Sequence, residues 1–172
     1  MHNEEVTHSV DDCRTEMLKL RKLIDKEGKM SPITNYLTKY AAIRCCGTLE
    51  QGYKSIIADY YEQYAPELAK FIATHVRESS MNPSYGNIMK VLRAFDDDRA
   101  DAFKQAAAEL EDAKMLQVSL ESLNGIRNNI AHGLVVTVTF NEIDTHFLNS
   151  VKILECLDSV CCSPATVAPA VS

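Results

Sequence analysis

The sequence predicts an all-α protein, a single-domain up-and-down bundle of about five to seven helices. Only six glycines and five prolines occur in 172 residues, too few for a protein rich in β-turns. Apolar residues recur three and four positions apart along most of the chain, as they do on one face of a helix. Residues that commonly cap helices precede several of these segments.

Caps and helix breakers delimit the helices in chain order. Gly28 stops the first helix, Ser31 caps the second, and the second ends before Pro66. Ser84 caps a short helix, and Thr139 has capping-box spacing to the glutamate three residues later. The predicted spans, in order, are 9–28, 32–64, 66–78, 84–95, 97–114, 116–132 and 140–161.

The remaining segments are predicted to lack regular structure. The run "LVVTVTF" at 134–140 resembles a strand in composition, but no second strand is available, so we expect an extended connector. Residues 1–8 are assigned to a flexible N-terminus, residues 9–162 to the helical domain, and residues 163–172 to a disordered tail.

Charge and hydropathy exclude several classes of protein. The net charge of −6 argues against general DNA binding, which needs many cations, although it leaves room for a small local RNA site. No apolar run approaches the roughly 18 residues of a membrane span. The polar, acidic N-terminal sequence is unlike an export signal, so we expect a cytoplasmic protein.

The six cysteines indicate neither disulfides nor metal binding. Two adjacent pairs, at 45–46 and 161–162, are too strained to bridge within themselves. The sequence contains no C-x-x-C motif and no Cys/His spacing typical of zinc sites. We therefore expect reduced thiols, no metal and no cofactor.

The sixth helix carries a charge on its apolar ridge. The ridge consists of Leu116, Leu120, Leu123, position 127, Ile130 and Leu134, which are spaced three and four residues apart. Arg127 thus stands where a leucine is expected. A guanidinium there needs a carboxylate or a phosphate, because an unpaired buried charge costs several kcal/mol.

The second helix carries the opposite charge on a similar stripe. Position 50 of that stripe is glutamate. The apolar members of the stripe are Tyr36, Tyr40, Ile43, Cys46, Tyr53, Ile57 and one of Tyr60 and Tyr61. The spacing suggests that Glu50 pairs with Arg127. The alternative, in which Glu50 lies at the edge of the stripe in solvent, stays open.

The end of the sixth helix concentrates polar residues. His132 follows Arg127 by five residues, about 140° around a straight helix, and Gly133 is suited to the position after the helix end. One interpretation is a histidine placed favourably against the helix dipole. Asn128 and Asn129 have a similar plain interpretation as polar residues that bond to carbonyls at a helix end.

These residues also carry a resemblance to a known family. Arg127, Asn128 and His132 match the R-polar-x-x-x-H signature of HEPN domains. The segment "NYLTKYAAIRCCGTLEQGYKSIIADYYEQYAPELAKFIA", followed much later by "IRNNIAHG", resembles the RiboL-PSP type of HEPN domain. The similarity covers about residues 14–160.

The resemblance implies a metal-independent endoribonuclease of the toxin or antiviral-defence type, with its active site shared across a homodimer. The RNA 2′-hydroxyl would attack its own phosphodiester, giving a 2′,3′-cyclic phosphate and a 5′-hydroxyl. His132 would transfer protons, and Arg127 would bind the phosphorane oxygens. Asn128 would orient His132 or bind a phosphate oxygen, and Glu50 and Asn129 would support the site.

A second function stays open. Other HEPN modules are non-catalytic and dimerise to bind a partner protein or a nucleotide, and the acidic composition agrees with this alternative. For the first function the implied partners are a second copy of the chain, an RNA substrate and an antitoxin or other regulatory protein. Neither function involves a membrane.

Overall fold

The structure, a computed structural model, describes residues 1–28 and 31–162 and confirms the all-α prediction. Within those ranges the chain forms seven α-helices and no strand. The helices are α1 (Glu4–Glu27), α2 (Pro32–Tyr64), α3 (Ala69–Ile72), α4 (Tyr85–Phe95), α5 (Asp97–Ala108), α6 (Ala113–Ala131) and α7 (Phe140–Cys162). The predicted tail at 163–172 lies outside the described residues.

Helix α1 begins five residues earlier than predicted. The side chain of Asn3 caps the helix by accepting a hydrogen bond from the Val6 N–H at 3.0 Å. Asp158 of α7, which is buried, accepts hydrogen bonds from the backbone N–H groups of His2 and Asn3. Most of the segment that we had assigned to a flexible N-terminus is therefore helical. Its anchor is distant in sequence, so periodicity does not reveal it.

Most other helix ends follow their predicted caps. The Ser31 hydroxyl accepts from a backbone N–H of α2 at 3.2 Å, and Ser84 does the same for α4 at 3.1 Å. The capping box before α7 is formed: Glu142 accepts from the Thr139 N–H at 2.7 Å, and the Thr139 hydroxyl accepts from the Glu142 N–H at 3.3 Å. These ends were predictable because both partners are local.

Two predicted helices differ from the observed ones. The helix predicted over 97–114 ends at Ala108, and the chain passes through Asp112 in a left-handed conformation with φ of 60° before α6 starts. The segment predicted as one helix over 66–78 is a composite. A 3₁₀ turn at Pro66–Leu68 precedes α3, and a π-helical turn at Ala73–Arg77 follows it.

The relative directions of the helices follow from long-range contacts. Asn3 bonds to Asp59 and Glu16 to Arg44, so α1 and α2 are antiparallel. Asn3 also bonds to Asp158, and Arg21 to Asp144, so α1 and α7 are antiparallel too.

Helix α6 runs opposite to both α7 and α2. It joins α7 through the connector at 132–139 and touches it again where Asn149 donates to Ser119. Because α2 and α7 each oppose α1, they point the same way, and α6 therefore opposes α2 as well. The C-terminal end of α6 thus lies at the end of the bundle where α2 begins.

The core of the bundle lies between α1, α2, α6 and α7. Its buried apolar residues come from every long helix and include Met17, Leu49, Tyr53, Leu116, Leu123, Phe147 and Leu157. All six cysteines are free thiols, and five of them are buried. No helix in residues 1–28 and 31–162 is both long and apolar enough to cross a membrane.

Candidate active site

Helix α6 ends in a Schellman motif. Gly133 adopts a φ of 70°, its N–H donates to the Ile130 carbonyl at 3.1 Å, and the Leu134 N–H donates to the Asn129 carbonyl at 2.9 Å. These two bonds satisfy carbonyls that the helix end would leave unpaired. His132 is therefore the C-cap residue, directly after the last helical residue Ala131, its side chain is exposed, and the chain turns away directly after it.

Arg127 lies at the end of the buried ridge of α6. The leucines at 116, 120 and 123 are buried as predicted, whereas Leu134 is exposed because it follows the end of the helix. Arg127 itself is half-buried. Its Nη1 donates to the Asn128 Oδ1 at 3.2 Å.

No carboxylate in the described part of the chain forms an ion pair with Arg127 within 4 Å. By contrast, Arg44 binds Glu16 at 2.8 Å and Arg21 binds Asp144 at 2.6 Å. Because one hydrogen bond to a neutral amide uses little of a guanidinium's capacity, Arg127 keeps several N–H donors for an anion.

Glu50 does not pair with Arg127, so that predicted ion pair is wrong. Its Oε1 accepts from the Lys54 ammonium at 2.6 Å. The Lys54 side chain is only 2% exposed and also donates to the Ser79 carbonyl. The pattern missed this pair because lysine is normally a surface residue, and here the loop after the π-helical turn covers it.

Cys46 lies at the α2–α6 contact, where the charges of Arg127 and Glu50 both act on its thiol. Its thiol donates to the Leu123 carbonyl at 3.4 Å and faces the Asn124 Oδ1 at 3.9 Å. Burial raises the pKa of Cys46 to about 12, while the Arg127 charge lowers it and the Glu50 charge raises it. The thiol is therefore protonated at neutral pH and serves as a packing group and weak donor.

Asn124 is a buried residue that the sequence analysis missed. Its side chain is 4% exposed, and its Nδ2 has no hydrogen-bond partner in the described structure. It precedes Arg127 by three residues and Asn128 by four, so all three lie on adjacent turns of one helix. The sequence feature that could have identified Asn124 is the position of an asparagine directly beside an apolar helical ridge.

The first half of the apolar α2 stripe is exposed. Ile33, Tyr36, Tyr40 and Ile43 expose 45–71% of their surface. The second half of the stripe is covered by the segment from α3 to α4. Among the described residues, the first half has no such cover, although the Tyr40 hydroxyl donates to Glu16 of α1. Gly47 continues the exposed stripe, and the space around its missing Cβ is open.

Helix α6 presents a matching stripe on the same side of the bundle. Gly125, Asn128 and His132 are three and four residues apart, and the space around Gly125 is also open. Helices α2 and α6 meet where Cys46 contacts Leu123 and Asn124. Around its own helix axis, each stripe lies roughly a quarter to a third of a turn from that contact, in the same rotational direction. Because the helices are antiparallel, both stripes face one side. The α2–α6 face comprises Tyr36, Tyr40, Ile43, Gly47, Gly125, Asn128 and His132.

The fold and the R-x-x-x-x-H pair at the end of α6 define a HEPN-type helical domain. The RiboL-PSP-HEPN family model matches residues 11–163, so the chain belongs to the RiboL-PSP-HEPN family. HEPN domains commonly dimerise and bind RNA, and membership is compatible with an RNase or a nucleotide-binding module. No curated protein and no solved structure has a significant match to the chain.

Proposed function

We propose that the protein is a metal-independent endoribonuclease of the toxin or antiviral-defence type that works as a homodimer. One observation carries the proposal. At the end of α6, the half-buried Arg127 has no carboxylate partner among the described residues and adjoins Asn128, while His132 is exposed on the same helix end. A cation without an anion, at the same helix end as a side chain that transfers protons, is complementary to a phosphodiester.

The residue types fit cleavage of RNA through its own 2′-hydroxyl. In that reaction the 2′-oxygen bonds to phosphorus, the bond from phosphorus to the 5′-oxygen breaks, and a 2′,3′-cyclic phosphate and a 5′-hydroxyl result. One group removes the 2′ proton and another gives a proton to the 5′-oxygen. Histidine is the side chain that does either near neutral pH. Arg127 stabilises the phosphorane oxygens in this scheme.

Asn128 has a more specific role in this proposal than in the sequence analysis. Its carbonyl oxygen already accepts from Arg127, and its amide nitrogen has no bond in the described structure. The free N–H groups favour donation to a phosphate oxygen over orientation of His132. Asn129 is exposed, and its carbonyl accepts the Schellman bond from Leu134. Asn129 therefore supports the helix end that holds His132.

The need for two proton-transferring groups supports the homodimer. One protomer supplies one His132, whereas a two-fold axis through the α2–α6 face brings two together. Exposed tyrosines and Ile43 provide apolar contact area on this face. The open space at Gly47 and Gly125 allows a partner helix to approach closely.

The test is RNA cleavage by the purified protein in the presence of EDTA. We expect single-stranded RNA to be cut with cyclic-phosphate ends, and Arg127→Ala and His132→Ala each to slow cleavage by about 100-fold or more. His8→Ala is the matched control, because His8 is exposed on α1 and faces only Asp12. Cleavage by His132→Ala at the wild-type rate would refute the proposal.

The net charge of −6 favours a second candidate, a non-catalytic HEPN module that binds a partner protein or a nucleotide. The same experiment separates the two. Wild-type protein that dimerises but leaves RNA intact, with or without EDTA, fits the binding module and not the nuclease.

A further inference from the structure

Asn124 carries an unexplained cost in the free protein. Its amide is almost completely buried, and among the described residues no acceptor reaches Nδ2. A buried donor without an acceptor destabilises a fold, and an apolar residue of similar volume avoids that penalty. Leucine has the branched shape of asparagine and no polar atom, so it would leave no unpaired donor at this position next to Cys46. The asparagine therefore points to a state in which its N–H groups are used.

An acceptor for this donor lies one helical turn away. Asn128 follows Asn124 by four residues, the spacing at which amide side chains bond to each other along a helix. In the free protein, the Asn128 Oδ1 is occupied by the Arg127 Nη1 at 3.2 Å. An amide oxygen can accept two hydrogen bonds, but in the free protein this oxygen is bonded to Arg127 and the Asn124 donor does not reach it.

We propose that Asn124 is a positioning residue that replaces Arg127 as the donor to Asn128 when a phosphodiester binds. The guanidinium then turns toward the phosphate oxygens, and the Asn124 Nδ2 donates to the Asn128 Oδ1. The proposal rests on the proposed function, because it assigns a phosphate ligand to Arg127.

The donor exchange serves the site in two ways. It lets the Arg127 guanidinium turn fully toward the phosphate for bidentate contact, which is the geometry that a planar guanidinium prefers. It also holds the Asn128 amide with its N–H groups turned away from Asn124 and available to the same phosphate. Since Asn124 is unsatisfied only in the free state, the exchange stabilises the bound state selectively.

The variant Asn124→Leu tests the exchange. We expect a melting temperature at or above that of the wild type, because the unpaired donor is gone, and a kcat on RNA lower by about tenfold, the loss of one hydrogen bond to a charged assembly. Ser119→Ala is the matched control. Ser119 is also buried on α6, but its hydroxyl accepts from Asn149 at 3.0 Å. That variant should melt lower and cleave at the wild-type rate.

A kcat of Asn124→Leu within twofold of the wild type would overturn the proposal. If this variant does not fold, the wild-type protein can still test the exchange. The measurement is the NMR resonance of the ¹⁵N-labelled Asn124 side-chain amide during titration with inorganic phosphate. We expect that resonance to shift in the wild type and not in Arg127→Ala, and an unmoved wild-type resonance would refute the exchange. A wild type that shifts but does not cleave RNA would contradict the proposed nuclease and leave the exchange standing.

Discussion

Two cations, Lys54 of α2 and Arg127 of α6, have different partners. Lys54 is almost fully buried and has a carboxylate from Glu50 and a carbonyl from Ser79. Arg127 is half-buried and, among the described residues, has only the neutral Asn128 amide as a partner. A buried charge with complete partners holds a fold together, whereas one with incomplete partners indicates a ligand. This contrast assigns Lys54 to the fold and supports the proposed role of Arg127 in binding a phosphate.

Glu50→Gln should lower the free energy of unfolding by about 2–4 kcal/mol, because it leaves the buried ammonium of Lys54 without a counter-charge. Urea unfolding measures the change. Glu155→Gln, at an exposed glutamate of α7, should have almost no effect. The folded Glu50→Gln protein should cleave RNA normally. If stability is unchanged and cleavage is lost, Glu50 instead supports Arg127 in the site.

At the scale of the elements, α2 divides into two halves with different surroundings. The later half is enclosed by the segment between α3 and α4, and Tyr53 and Lys54 hold that segment by bonding to the Met81 and Ser79 carbonyls. The earlier half carries exposed aromatic residues that no other helix of the described chain encloses. One helical stripe therefore belongs partly to the core and partly to the α2–α6 face.

Tyr36→Glu should convert the homodimer into a monomer, because it places a charge in the apolar contact area that we assign to the second copy. Gel filtration with light scattering at micromolar concentration measures the mass. Leu18→Glu is the control, since Leu18 is equally exposed but lies on α1. The dimer proposal would not survive a wild type that is monomeric, or a Tyr36→Glu protein with the wild-type mass.

The comparison of sequence with structure separates local from long-range information. The caps at Ser31, Ser84 and Thr139 were predictable because each partner lies within three residues. The break at Asp112 was not, because the charged stretch around it has helix-forming composition. The early start of α1 depends on Asp158, which lies at the far end of the chain.

The candidate site shows the same division. The spacing of Arg127, Asn128 and His132 is local, and so is the stop at Gly133, which the structure confirms. The partner of Glu50 was mispredicted because tertiary cover, not periodicity, decides that Lys54 is buried. Periodicity also shows that the α2 stripe is apolar, but it does not show which part of the stripe other elements cover.

The whole molecule is acidic, with a net charge of −6, while the candidate site has few cations. Such a protein gains little from long-range attraction to RNA. Recognition must therefore depend on short-range contacts to very few phosphates.

The salt dependence of RNA binding should consequently be shallow. If Arg127 of each protomer neutralises one phosphate, log Kd against log salt should have a slope magnitude of about 1.4 on single-stranded RNA, and Arg127→Ala should abolish it. Fluorescence anisotropy with uncleavable 2′-O-methyl RNA over a series of potassium chloride concentrations measures the slope. A magnitude above about 3 would mean that an extended basic surface exists instead.

The division of α2 also has a consequence for how the sequence tolerates change. In a library of single variants, substitutions at Tyr53, Ile57 and neighbouring enclosed positions should reduce the abundance of the protein in cells, whatever its expression level. Substitutions at Tyr36, Tyr40 and Ile43 should leave abundance intact and reduce activity mainly at low expression, where mass action no longer maintains the pair. One continuous helix would thus show two patterns of constraint, with the change between them near Gly47.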